Sequence, residues 1–434
     1  MGMILFGACM LTLPVAAHSG HSVGFLDAFF TSTSAVCVTG LVTVDTGTVY
    51  SLFGQLVIIA LIQAGGLGFM TVTTLIFIVI RKKISLSERM IIRDQFNEDT
   101  LSGMVRLIKR IIMVTFISEF IGAILLSIRF IPDFGVLKGI YFSCFHAISA
   151  FCNAGFDLIG NYQSFLPYAN DFIVNFTICG LIVTGGIGFF VILDIAKKIK
   201  EGHKARLDLH SKIVLIATAA LIVVGALAFF LLEKDNPATI GSPELSQNGR
   251  FFASVFQSVT PRTAGFNTID QNSMGGAAKL LTVILMFIGA SPAGTGGGVK
   301  TTTATVIFLL ILAVIRGKKD VNVMKKRIDS GLIMRAVVTV LLSFMLVMLV
   351  TFILSLTEQK GTLIQTILFE VTSAFGTVGL SCGLTPSLTI AGKLLIILTM
   401  YGGRVGLLTL SLALVSRQKE TEAKIRYPEG RIII

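Results

Sequence analysis

The sequence predicts an all-α polytopic membrane protein. Four fused repeats, each an outward span, a short re-entrant helix and a returning span, are expected to surround one axis. Three observations carry this. The 434 residues are 53% hydrophobic and only 14% charged, where a soluble domain carries about 25% charged residues, and mean hydropathy is +0.85. Lys and Arg gather in four separated clusters. Four glycine-bearing motifs recur at a near-constant spacing.

The clusters fix the topology. Residues 81–110, 197–212, 316–335 and the tail from Arg417 hold 26 of the 36 Lys and Arg. By the positive-inside rule these segments face the cytoplasm. Topology accounts for four spaced clusters better than nucleic-acid binding does, so no nucleic-acid partner is expected. Each pair of clusters brackets chain that leaves and returns. The expected spans are 1–17 and 52–80, 111–126 and 172–195, 213–232 and one starting near Leu280, and 336–356 and 394–415. That gives eight spans in the cell membrane with both termini cytoplasmic. The units run 1–80, 81–196, 197–315 and 316–416, with a cytoplasmic tail at 417–434. The first span begins at residue 1 with no Lys or Arg before it, so an incomplete N-terminus is expected.

Between outward and returning spans lie four apolar runs too short to cross a bilayer. They end in SAVCVTGLV (34–42), SAFCNAGFD (149–157), SVTPRTAGFN (258–267) and SAFGTVGLS (373–381). The glycines Gly40, Gly155, Gly265 and Gly379 are 115, 110 and 114 residues apart, the mark of internal repetition. Counted from its serine, the third motif carries one extra residue near Pro261 and Arg262. Non-helical backbone is tolerated at membrane depth only where protein buries it or it lines a watery cavity. Four such loops about one axis can turn carbonyls and helix C-termini inward, which suits a weakly hydrated monovalent cation.

The returning spans repeat LIQAGGLGFM (61–70), LIVTGGIGFF (181–190) and LTMYGGRVGLL (398–408). A GG-x-G pattern in a helix is first a close-packing signal. The third copy, LMFIGASPAGTGGGVKTTT (285–303), has five Gly and a Pro within 289–298 and is expected to break the helix. A mobile intramembrane gate is the reading for Gly289, Ala290, Ser291, Pro292, Ala293, Gly294, Thr295, Gly296, Gly297 and Gly298; a static kink is the alternative.

Charges at membrane depth are costly and tend to be functional. Arg404 is read as a cation holding that loop through its carbonyls, or else as half of an ion pair. Lys300 gates or reaches to the interface. Glu119 pairs with a base or faces a dimer interface. Arg262 and Asn267 flank the third loop, where they act on the site or simply line a solvated vestibule. Asp45 and Asp157 lie just beyond their loops and either concentrate cations electrostatically or serve only locally; Asn153 is a polar, functional residue of the second loop. Cys9, Cys37, Cys144, Cys152, Cys179 and Cys382 form no CxxC pair, and His18, His21, His146, His203 and His210 form no HExxH pair. No Walker or GxSxG motif appears, so an enzyme is not expected. Repeats that all start and end inside also disfavour an inverted-repeat transporter.

The four loops, the TPRTAGF run (260–266) and the GASPAGTGGGVKTTT run (289–303) resemble the Trk/Ktr/HKT cation transporter superfamily. The likeness spans essentially the whole chain and is nearest to the membrane subunits of bacterial Ktr potassium uptake systems; IRYPEG (425–430) is also Ktr-like. The resemblance implies four M1–pore helix–M2 units around a central pore. Potassium would bind the carbonyls of Val38, Thr39 and Gly40, of Asn153, Ala154 and Gly155, of Thr263, Ala264 and Gly265, and of Thr377, Val378 and Gly379. Glycine at all four positions goes with potassium selectivity in the family; a sodium-translocating or sodium-coupled subunit, including symport, is the alternative. The resemblance further implies a homodimer in the membrane and a separate cytoplasmic ring of RCK/KTN (KtrA-like) subunits. Nucleotide would bind only on that ring, which controls the loop that includes Lys300 and faces Arg404.

Overall fold

The structure is a computed structural model and describes residues 1–68, 104–202, 206–318, 320–359 and 361–406. The far ends of the expected spans 52–80 and 394–415, most of the 81–110 cluster and the tail from Arg417 lie outside the described residues.

Fourteen helices of more than one turn make up most of the described chain. The first group is α1 (Gly2–Thr12), α2 (Phe25–Cys37) and α3 (Leu52–Leu67). The second is α4 (Met104–Phe134), α5 (Val136–Phe151), α6 (Phe172–Gly186) and α7 (Phe189–Glu201). The third is α8 (Leu209–Glu233), α9 (Gln247–Val259), α10 (Gly276–Phe287) and α11 (Thr301–Ile315). The fourth is α12 (Ser330–Thr357), α13 (Ile364–Gly376) and α14 (Ile390–Val405). A two-residue hairpin, Asn322–Val323 with Lys326–Arg327, joins α11 to α12.

Side-chain caps set many of the starts. Ser51, Asp171, Ser246, Asp329 and Thr389 accept from the backbone N–H three residues on, at Gly54, Val174, Gly249, Leu332 and Gly392. Each satisfies an otherwise orphaned donor at a helix N-terminus.

Among the described residues, three helices are long and apolar enough to cross a bilayer alone: Arg106–Phe134, Leu209–Glu233 and Ser330–Thr357. Their outer faces expose Phe116, Phe120, Val224, Leu227, Phe344 and Phe352, as lipid contact requires. The expected continuous span 172–195 is not continuous. It breaks at Ile187 and Gly188 into α6 and α7, bent by 100°. Gly188 has φ 92°; Gly68, at the same place in its GG-x-G motif, has φ 82°, and Gly406, closing the GG-x-x-G run 402–406, has φ 87°. The last glycine of the motif therefore ends a helix; its left-handed backbone is cheap only for Gly.

Helices α2, α5, α9 and α13 lie inside. At ~1.5 Å per residue they are roughly 20–24 Å long, short of the ~30 Å hydrocarbon core. Each packs on the preceding long or outer helix: α1 on α2, α4 on α5, α8 on α9, α12 on α13. The following helices then link neighbours. α3 packs on α5, α6 on α9, α10 on α13, and α14 back on α2. The chain thus closes a cycle. The paired glycines make these contacts possible. A Cβ on Gly65, Gly185 or Gly403 would collide with the carbonyl of Val36, Phe151 or Phe375 at the end of an inner helix.

Candidate functional site

Each inner helix runs into a loop of alternating backbone handedness. Val38 and Gly40 have φ 58° and 92°, Asn153 and Gly155 59° and 70°, Thr263 and Gly265 71° and 79°, Thr377 and Gly379 49° and 95°. The residue between each pair, Thr39, Ala154, Ala264 or Val378, is not left-handed. Alternation of this kind turns successive carbonyls to one side of the chain. Val38, Asn153, Thr263 and Thr377 are not glycine, so each stores strain, of the order of 1–3 kcal/mol.

The four loops meet in a closed ring in chain order. A Cβ on Gly155 would lie 2.8 Å from the Ala264 carbonyl oxygen and 2.9 Å from the Gly265 Cα. One on Gly265 would lie 2.5 Å from the Val378 oxygen. One on Gly379 would strike the Thr39 oxygen and lie 3.0 Å from the Gly40 Cα; one on Gly40 would strike the Ala154 oxygen and lie 3.1 Å from the Gly155 Cα. Every ring glycine is therefore backed by the middle carbonyl of the next loop, leaving no room for a side chain.

Hydroxyls anchor each loop to its helix. Ser34 and Ser373 accept from the N–H of Gly40 and Gly379 at 3.0 and 3.1 Å. Ser149 and Thr260 donate to the carbonyls of Phe156 and Phe266. The third loop corrects the sequence expectation. In the other loops the Thr39, Ala154 and Val378 amides donate five residues back, to the Ser34, Ser149 and Ser373 carbonyls; in the third, Ala264 donates four back, to Thr260. Thr260, not Ser258, is the counterpart of those serines, and the loop is one residue shorter rather than longer. Pro261, which cannot continue the helical ladder, follows Thr260 directly.

The 288–300 segment joins α10 to α11 beneath the ring. Its two sides pair, with Gly289 N–H to the Val299 carbonyl at 2.8 Å and Thr301 N–H to the Ala290 carbonyl at 3.2 Å. Ser291 Oγ and Thr301 Oγ1 are 2.7 Å apart. The outer strand of the loop is tied to α6 and α7: Ser291 N–H to Gly186, Thr295 N–H to Gly185, and Phe189 N–H to Ala293. Pro292 lies so near Gly188 that a Cβ there would meet its carbonyl, and Gly294 N–H donates to Ser291. Gly296 and Gly297 pass directly under the ring; a Cβ on either would strike Thr263 Oγ1 or Thr377 Oγ1. Gly298, at φ 69°, turns the chain into α11.

Two cations hold this loop through carbonyls. Lys300 Nζ donates to Gly296 at 2.8 Å. Arg404 donates through one nitrogen to Thr295 and through the other to Gly65 at the end of α3.

The remaining residues separate. Asn153 is buried, and its amide, oriented to satisfy both ends, donates to Ala150 at 3.0 Å and Ile182 at 3.2 Å. Arg262 is buried and reaches Thr218 at 3.3 Å on α8, so it is not in a solvated vestibule as expected; the shorter loop points it outward from the ring. Asn267 and Asp157 wall a cavity of about 400 Å³ that opens onto Gly40, Gly155, Gly265 and Gly379. Asp45 does not wall it; its carboxylate ties the Thr48 and Asn161 amides. Glu119 has no basic partner among the described residues, and Cys152 Sγ is 4.0 Å from it. The Gly65 carbonyl was not singled out from the sequence; nothing in a GG-x-G motif marks one carbonyl as an acceptor.

Apolar membrane helices cycling around a buried ring of backbone carbonyls define an ion-transport protein rather than an enzyme. Residues 7–422 match the family model of TrkH, a cation transport protein, and the chain belongs to that family. It is 43% identical over 429 residues to the Ktr system potassium uptake protein B of Bacillus subtilis, covering 99% of this chain and 93% of that one. It is 42% identical over 434 residues to the potassium/sodium uptake protein NtpJ of Enterococcus hirae, covering 100% and 94%. The potassium transporter TrkH from Vibrio parahaemolyticus shares the fold, with TM-score 0.71 at 16% identity over 95% of this chain and 83% of that one.

Proposed function

We propose that the chain is the ion-translocating subunit of a potassium uptake system. The observation that carries this reading is the closed ring of Gly40, Gly155, Gly265 and Gly379, each against the middle carbonyl of the next loop. Carbonyls fixed at such spacing replace the hydration shell of a monovalent cation, and their number and field decide which ion is favoured. In this reading the four units are M1–pore helix–M2 repeats making eight spans, the loops at residues 38–40, 153–155, 263–265 and 377–379 are the selectivity filter, and the 400 Å³ cavity is its outer mouth. The 288–300 loop is the gate, held shut by Lys300 and Arg404 from the inner side.

The basic clusters support a topology with both termini in the cytoplasm. The family likeness supports a homodimer and a separate RCK/KTN ring that carries the nucleotide and opens the loop. Relatives named for potassium uptake support potassium as the ion. The relative named for potassium and sodium keeps sodium transport or coupling as the second reading.

Expression in a bacterial strain lacking its own potassium uptake, with and without a Ktr-type regulatory ring, tests this. Growth at limiting potassium is expected with the chain present and is expected to be lost in Gly265→Asp. Equal growth with and without the chain, although it reaches the membrane, overturns the reading.

A further inference from the structure

Behind the ring, each inner helix carries one polar side chain that fastens the segment downstream of its loop. The four stand at matching places: nine residues before Gly40, Gly155 and Gly379, and eight before Gly265 in the shorter loop. They are chemically unlike. Thr31 accepts from the Tyr50 hydroxyl at 3.2 Å. His146 faces the Phe142 carbonyl through Nδ1 at 2.7 Å, which makes Nδ1 the donor, so Nε2 accepts from the Leu158 amide at 3.2 Å. Gln257 and Gln271 exchange reciprocal amide bonds at 2.9 and 3.0 Å.

Glu370 is the charged member and makes the largest set of bonds. Its Oε1 accepts from Ser381 Oγ at 2.6 Å, from the Cys382 amide at 3.0 Å and from the Leu384 amide at 3.3 Å; its Oε2 accepts from Thr385 Oγ1 at 2.7 Å. The side chain is fully buried. Three donors gather on Oε1 and one on Oε2, leaving both carboxylate oxygens hydrogen-bonded, and bonds to a charged acceptor are about twice as strong as neutral ones. Ser381 and Cys382 stand two and three residues beyond Gly379 and wall the cavity above the ring.

We propose that Glu370 is a positioning residue for ion selection: it fixes the fourth loop, and through Gly379 the spacing of the whole ring. Gly379 touches both Gly40 and Gly265, with a Cβ there lying 3.0 and 3.2 Å from their Cα atoms, so drift of the fourth loop reaches both neighbours. Thr31, His146 and Gln257 do the same for their own loops through weaker, neutral bonds. The inference rests on the reading of the ring as the selective element.

The test is rubidium uptake into liposomes, with inhibition by potassium and by sodium, for the unaltered chain, Glu370→Ala, Glu370→Gln and Gly40→Ser, reconstituted with a Ktr-type regulatory ring. Glu370→Ala is expected to lower potassium-over-sodium discrimination about tenfold, with a smaller change in maximal uptake. Glu370→Gln is expected to stay within about threefold of the parent, because its amide oxygen can take the Oε1 donors while its NH₂ donates to the Thr385 hydroxyl. If Glu370→Ala does not fold, Ser381→Ala and Thr385→Val each remove one donor and are expected to move discrimination in the same direction. Unchanged discrimination in these variants, with Gly40→Ser losing it, overturns the role of Glu370 alone. Equal loss in Glu370→Gln and Glu370→Ala overturns positioning in favour of charge. Unchanged discrimination in Gly40→Ser overturns the selective ring itself, and with it this inference.

Discussion

Arg404 and Thr295 are joined by a hydrogen bond from a guanidinium nitrogen to a main-chain carbonyl, across 109 residues of sequence, while the other terminal nitrogen of Arg404 reaches the Gly65 carbonyl. One side chain thus ties the loop under the ring to the end of α3. Hydrogen bonds to a charged group contribute about 1.5–3 kcal/mol each, enough to bias a loop between two positions by tenfold or more.

Arg404→Gln should therefore raise flux of the chain alone about tenfold, and raise it less when a Ktr-type regulatory ring is added, if that ring releases the loop as proposed. Isotope flux with and without that ring measures this. A fall in flux would mean that Arg404 supports the open loop instead.

The ring glycines should tolerate nothing larger. Gly155→Ala places a methyl 2.8 Å from the Ala264 oxygen on left-handed backbone. Gly40→Ser should erode the preference for potassium over sodium more than it lowers maximal uptake, because the added Cβ displaces a carbonyl rather than plugging the passage. Competition between the two ions for rubidium uptake reads the difference.

Gly296 and Gly297 lie directly under Thr263 and Thr377 of the ring, the contact through which the proposed gate would close it. Deleting residues 294–298 should increase basal flux, because the contacts under Thr263 and Thr377 are removed. Unchanged flux in folded protein would place the gate elsewhere.

Asp157 lies in the loop between α5 and α6, outside the spanning segments. Burial, then the Asp45 carboxylate, push its carboxyl up to about 7, against smaller opposing effects from the Ile159 and Gly160 amides. Above that value the cavity gains a negative charge, and below it the charge is lost. Uptake at limiting potassium should thus rise between about pH 6 and about pH 8, by attraction of cations to the mouth. Asp157→Asn should flatten that rise. Initial rates across the pH range check it.

Much of the cycle was legible in the sequence because its parts follow strong rules. Alternating basic clusters and apolar runs follow from the cost of charge in hydrocarbon. Gly40, Gly155, Gly265 and Gly379 stand where left-handed backbone and close approach leave no other residue. The break at Gly188 was hidden because GG-x-G fits close packing and a helix end equally well, and here it serves both. The sequence points to a longer third loop because Ser258 resembles the anchoring serines of the other loops, while the hydroxyl that bonds the loop belongs to Thr260. The partners of Arg404 and Glu370 lie far away in sequence or along irregular backbone, where no periodic pattern points.

The most direct test of a selective carbonyl ring is potassium-driven rubidium uptake into liposomes holding the purified chain with a Ktr-type regulatory ring, at clamped voltage, with sodium as competitor. Uptake that needs no ATP hydrolysis, is suppressed by potassium and resists an equal concentration of sodium is the predicted result. Uptake suppressed equally by both ions, or absent without ATP hydrolysis, would contradict it.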